Sequence, residues 1–137
     1  MNAVQIQHVQ DSFRLVAPMA DEAAALFYSR LFELNPELRS LFKSDPKEQG
    51  RKLMTMIGMA VRGLGNLAAL APVVQNLGRR HAGYGVKAEH YAVVGAALLW
   101  TLEQGLGSAF SGEVKAAWTE AYMHLAGIMQ QAAAVPA

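Results

Sequence analysis

Apolar residues recur along the chain at the three- and four-residue steps of an α-helix, and proline and glycine break the pattern into segments. Ile6, Val9, Phe13 and Val16 share one stripe. Pro18 closes that helix and opens the next, whose first turns carry Asp21 and Glu22, the charge a helix N-terminus favours. Ala23, Phe27, Leu31 and Leu34 form the apolar face of this second helix, which stops at Asn35 because a residue preceding proline is pushed out of the α region. Pro36 then starts a short helix through Phe42, and Ser44, Asp45 and Pro46 make a turn. Leu53, Ile57, Ala60 and Leu64 define a longer helix that ends among Gly63, Gly65 and Asn66. A further helix is expected from about Pro72 to Ala82, broken by Gly83 and Gly85. Two long helices follow, with Tyr91, Val94, Leu98 and Leu102 on one and Val114, Trp118, Ala121, Leu125 and Ile128 on the other. The pattern predicts six or seven helices and no strand.

Composition agrees with that pattern. Ala, Leu and Met, strong helix formers, number 47, against 17 Val, Ile and Thr. A chain of 137 residues, 53% hydrophobic, is expected to form a single domain over residues 1–137, with room for one core and none for a second catalytic unit. The longest unbroken apolar run, Tyr91 to Trp100, is half of what a bilayer crossing needs, and the first residues show neither a basic start nor a signal-peptide core. A soluble, cytoplasmic protein without a membrane partner is therefore expected. Twelve Lys and Arg against eleven Asp and Glu leave a net charge of +1 with no long basic run, which argues against nucleic acid as a partner. No cysteine is present, so disulfides, thiolate nucleophiles and cysteine-bound metal are excluded.

Three polar side chains sit on otherwise apolar faces. His81 lies one turn after Leu77, near the end of its helix and beside Arg79 and Arg80. It reads either as a solvent-facing histidine that suits a helix C-terminus or as a metal ligand. The four histidines, His8, His81, His90 and His124, show no zinc-type spacing, so a metal-binding His81 would be the single protein ligand of a cofactor that brings its own donors. Haem is such a cofactor. Tyr28, next to Phe27, is either a core tyrosine bonded to a backbone carbonyl or a donor held inside a pocket. Gln49, four residues before Leu53 and on the same helix face, is either a solvated helix-start residue or a second polar group in that pocket.

Taken in order, these residues resemble a known family. The stretches Phe27-Tyr28-Ser29-Arg30-Leu31-Phe32, Asn35-Pro36-Glu37-Leu38 and Leu41-Phe42 are similar to the second and third helices and following corner of bacterial single-domain globins. Leu77-Gly78-Arg79-Arg80-His81 with Tyr84-Gly85-Val86, then His90-Tyr91 and Val94-Gly95, resemble their proximal helix and the start of the next. Ala116-Ala117-Trp118 and Ala121-Tyr122 resemble the last helix. Vitreoscilla-type haemoglobins and the globin domain of flavohaemoglobins belong to this group.

The resemblance implies an all-α globin fold, six to eight helices around a pocket for haem b. It implies His81 as the iron ligand, with the other ring nitrogen donating to a carbonyl, that of Leu77. It implies Phe42 flat on the porphyrin, Tyr28 and Gln49 as the distal polar pair, and Leu53 facing the iron. Met54, Ile57, Val86, Val94, Leu98 and Met129 become porphyrin contacts, with Lys52 and Arg80 placed for the propionates. Tyr91 matches a proximal tyrosine that in flavohaemoglobins pairs with a glutamate. Here the matching position is Ala133 and no acid follows Glu120, leaving Gln130 or Gln131 as polar substitutes. The implied ligands are O2, CO and NO. Two uses follow: oxygen binding, for storage, scavenging, transport or delivery, and nitric oxide dioxygenation with electrons from a separate reductase. The surplus of apolar residues leaves either a monomer or a weak homodimer.

Overall fold

The computed structural model describes residues 1–42 and 45–134; the turn expected at Ser44 therefore lies partly outside the described residues. Six α-helices occur among them, with short 3-10 segments in every connection but that from α4 to α5, and with no strand: α1 (Ala3–Val16), α2 (Ala20–Leu34), α3 (Pro46–Gly63), α4 (Leu67–Gly83), α5 (Ala88–Leu106) and α6 (Gly112–Ala134). A 3-10 segment over Pro36–Leu41 stands where the short proline-initiated helix is expected.

Local chemistry accounts for most of the boundaries. Asn2 and Gln5 cap α1 reciprocally, each side-chain oxygen accepting from the other's backbone N–H at 2.8 and 3.1 Å. Asn35 is extended, with φ −149° and ψ 91°, as a residue before proline must be, and its side chain caps the next turn at Glu37. Asp45 caps α3 at Lys47. The helix expected to start at about Pro72 instead starts at Leu67, with Pro72 inside it. Asn66 makes the difference: its side chain accepts from the Ala69 N–H and starts the helix early. Buried Leu70 and Val74 then hold α4 through the bond that Pro72 cannot donate. At the other end Gly85 takes φ +95°, which only glycine adopts freely, and turns the chain back so that Val86 N–H reaches the His81 carbonyl at 3.0 Å.

The longest pairings are α4 on α6, α2 on α5, and α1 on α6. One core gathers Val9, Val16, Leu64, Leu102, Ala117 and Trp118; a second is built from Phe27, Leu31, Leu38 and Ala97. Leu34, assigned by periodicity to the buried stripe of α2, is 43% exposed because the helix ends there and the chain departs before anything covers it. The helical stretch Pro46–Gly83, counting the turn between α3 and α4, is long and apolar enough to cross a membrane by length and composition alone. The unbroken run at Tyr91–Trp100 gives no hint of this, since polar residues are scattered through the longer stretch. In the fold, its two helices pack separately, α3 on α2 and α4 on α6.

Candidate functional site

His81 stands in the last turn of α4, half-buried. Its Nδ1 lies 2.8 Å from the Leu77 carbonyl oxygen. A carbonyl can only accept, so the proton is on Nδ1 and the Nε2 lone pair is left for an electrophile. The other histidines are placed differently. His8 Nε2 is 3.6 Å from Glu113, His90 Nδ1 accepts from Lys87 N–H at 3.0 Å, and His124 is exposed. Among the described residues no group of three or more His, Asp or Glu is close enough to hold an ion. His81 therefore offers one nitrogen, which is what a metal already held by a macrocycle requires and too little for a bare cation.

The second core gathers several of the other expected residues. Tyr28, Phe32, Phe42, Leu53, Val94 and Leu98 all pack, half-buried, against Phe27, Leu31, Leu38 and Ala97. Tyr28 meets Phe27 and Phe42 edge-on, with centroids 5.2 and 5.3 Å away, and stacks on Phe32 at 6.0 Å. These contacts fix the ring, and among the described residues the hydroxyl has one partner, the Gln49 main-chain oxygen at 3.4 Å. Of the two readings of Tyr28, the bond to a backbone carbonyl is present, but at that length it is a poor one. Burial pushes the Tyr28 phenol up to about 12, so it remains a protonated donor at neutral pH. Gly50 is what brings Gln49 so near: a Cβ at Gly50 would stand 2.9 Å from Ala24, so α3 crosses α2 closely at this point. Sequence reasoning did not single out Gly50, because the close approach depends on α2.

The remaining expected residues fall into three places. Lys52 and Arg80 line a groove of about 430 Å³ between α3 and α4, with Leu77 beside them and Lys52 Nζ 3.7 Å from Glu48. Met54 and Ile57 pack toward Trp118 and border a small apolar gap behind Leu53. Val86 is half-buried in the corner after His81, and Met129, on α6, touches α4 through its main chain at Gly78. On the proximal side the Tyr122 hydroxyl donates to the Tyr91 carbonyl at 2.6 Å. Ala133 is exposed, and among the described residues no hydrogen bond joins the Tyr91 hydroxyl to Gln130 or Gln131.

The family profile for globins matches residues 25–129, from the turn before Phe27 to Met129. The chain belongs to the globin family. This globin is 37% identical over 105 residues to a flavohemoprotein of Vibrio cholerae, covering 74% of this chain and 27% of that one. It is 34% identical over 128 residues to a flavohemoprotein of Halalkalibacterium halodurans, covering 91% and 31%. The globin thus spans under a third of the length of these relatives. Among solved structures it is similar to an engineered carbene transferase made from a putative nitric oxide dioxygenase of Rhodothermus marinus, with TM-score 0.87 and 30% identity over 98% of this chain and 94% of that one. A bacterial globin of Campylobacter jejuni gives TM-score 0.84 and 27% identity over 96% of both. The cofactor of the family is haem b, and the donor set fits it: one histidine nitrogen with its tautomer fixed by the Leu77 carbonyl, and among the described residues no ligand cluster for a bare cation.

The buried phenols make alkaline stability a test of this packing. Tyr28 and Tyr122 are held above the ordinary value of 10.0, Tyr122 by burial and then by Tyr91. From about pH 10 upward the unfolded chain loses protons that the folded chain keeps, so stability falls as pH rises through that window. Urea midpoints measured at about pH 8 and about pH 11 should drop, and the drop should shrink in Tyr122→Phe and Tyr28→Phe.

Proposed function

We propose that this globin binds O2 reversibly in the cytoplasm, to hold, scavenge or deliver it. Haem, when bound through His81 Nε2, supplies a ferrous iron that takes up the gas. The reading is carried by the Tyr28 hydroxyl, a protonated donor that holds only a 3.4 Å bond to Gln49 and so has capacity for a better acceptor. Phe42 and Phe32 orient the phenol, and Leu53, Val94 and Leu98 keep water from competing for it. Lys52 and Arg80, which border the groove between α3 and α4, would meet the two propionates. The test is the absorption spectrum of the purified protein as isolated, reduced, and reduced under O2. A shift of the haem bands on O2 addition that reverses under vacuum is expected, and a colourless protein that ignores added haem would end the reading.

A second reading is favoured by the likeness to the Rhodothermus protein, described as a putative nitric oxide dioxygenase. In it, NO and O2 combine with one electron to give nitrate, the electron coming from a separate reductase. Adding NO repeatedly to the O2-loaded protein in the presence of an electron-supplying reductase and counting nitrate per haem separates the two, since only dioxygenation gives many nitrates per haem at a sustained rate.

The absent carboxylate at Ala133 bears on both. His81 bonds a carbonyl, which polarises the imidazole less than a carboxylate-backed partner would. The iron–histidine stretching frequency of the reduced protein is expected to be low, and Ala133→Glu should raise it through Tyr91. A high value in the unaltered protein would mean that another group already polarises His81.

A further inference from the structure

Helices α4 and α6 meet backbone to backbone at one residue. Gly78 is buried, and a Cβ placed on it would strike the Met129 carbonyl oxygen and stand 2.6 Å from the Met129 Cα, well inside carbon–carbon contact distance. The obstacle is peptide backbone within a 23-residue helix, so it cannot swing aside as a side chain would. Gly78 adjoins Leu77, whose carbonyl fixes the His81 ring, and precedes His81 by three residues, on the same side of α4. Seven residues before Met129, and hence on the same face of α6, the Tyr122 ring fills the space beside Gly95 and its hydroxyl holds the Tyr91 carbonyl. These two contacts fix the course of α6 against α4 and α5.

We infer that Gly78 is a positioning residue for the iron ligand: its missing side chain lets α4 seat directly on Met129 and so sets how far His81 reaches toward the haem. The inference rests on His81 being that ligand. Because the ring is bonded to the same turn of helix, any displacement of α4 carries Nε2 with it. Gly83, on the same helix, has nothing within 4 Å of its Cβ position and serves as the control. Both glycine-to-alanine changes restrict the unfolded backbone alike, but only the one at Gly78 meets an obstacle.

The experiment measures the iron–histidine stretching band of the reduced holoprotein and the rate of haem loss. Gly78→Ala should displace the band and speed haem loss about tenfold, within the roughly hundredfold that a misplacement of about 1 Å can cost a positioned group. Gly83→Ala should do neither. The pair is then repeated in a His81→Gly background with imidazole added, where the ligand no longer rides on α4; the iron–imidazole band should be the same with Gly or Ala at position 78. An unmoved band in Gly78→Ala overturns the inference, as does a displacement that persists with free imidazole. Failure of Gly78→Ala to reach native helix content also overturns it, since the glycine would then serve the packing of the whole fold. If His81→Gly keeps its band without imidazole, the ligand assignment itself is wrong.

Discussion

Replacing His81 with alanine is expected to give a folded chain that no longer retains haem. The ring is half-buried, and its hydrogen bond to Leu77 is a local one worth about 0.5–1.5 kcal/mol to the fold, so helix content and the urea midpoint of the apoprotein should change little. Haem retention should collapse, because no second histidine stands where it could substitute: His8 is engaged with Glu113, His90 with the Lys87 amide, and His124 faces solvent. Visible absorption after desalting reads the outcome directly, and adding imidazole to the alanine variant should restore part of it. His8→Ala and His124→Ala should keep their colour. Loss of haem from either, with His81 intact, would place the iron elsewhere.

Tyr28→Phe is the complementary case, in which the cofactor stays and the gas leaves sooner. The phenylalanine ring keeps its contacts with Phe27, Phe32 and Phe42, and among the described residues the bond removed from the fold is the 3.4 Å one to Gln49. A hydrogen bond to a charged acceptor is worth about 1.5–3 kcal/mol, so release of O2 should quicken roughly ten- to a hundredfold, as stopped-flow displacement by CO would show. CO carries less charge for a phenol to meet, and its release should respond less. Equal changes for both gases would mean that the substitution had altered access to the pocket and that Tyr28 donates to neither.

How much of this was readable beforehand depends on the distance over which each feature is determined. Asn35-Pro36 and Asp45-Pro46 state their turns within two residues, and the structure places helix boundaries at both. The Leu77–His81 bond is likewise local, set by one helical turn. The start of α4 was missed because a proline at position 72 outweighs, on inspection, an asparagine at position 66 whose capping bond appears only once the helix is built. Gly50 and Gly78 read as helix-weakening residues until α2 and α6 are laid across them, since nothing near them in sequence says that another backbone will arrive there. Met54 and Ile57 enter as porphyrin contacts through the family resemblance, and in the fold both pack against the core that includes Trp118, far along the chain. Ser12 is a polar residue on an apolar stripe, and its burial was unreadable for the same reason.

That serine has a consequence for how the protein is made. The Trp118 indole N–H donates to Ser12 Oγ at 2.8 Å across 106 residues of sequence, and Ser12 Oγ in turn reaches the His8 carbonyl at 2.6 Å. Val9 and Val16, one turn either side, bury their side chains in the same place. On a ribosome that adds roughly 5–20 residues per second, α1 therefore emerges seconds before the helix that covers it, with its apolar stripe bare and its serine facing water. Closing so long a loop is entropically expensive and slow to reward, so α1 is expected to be among the last helices to settle, although it is synthesised before α6. Release of a nascent chain halted after α5 would free a polypeptide that carries Tyr28 and His81 but lacks α6, with its first helix still uncovered.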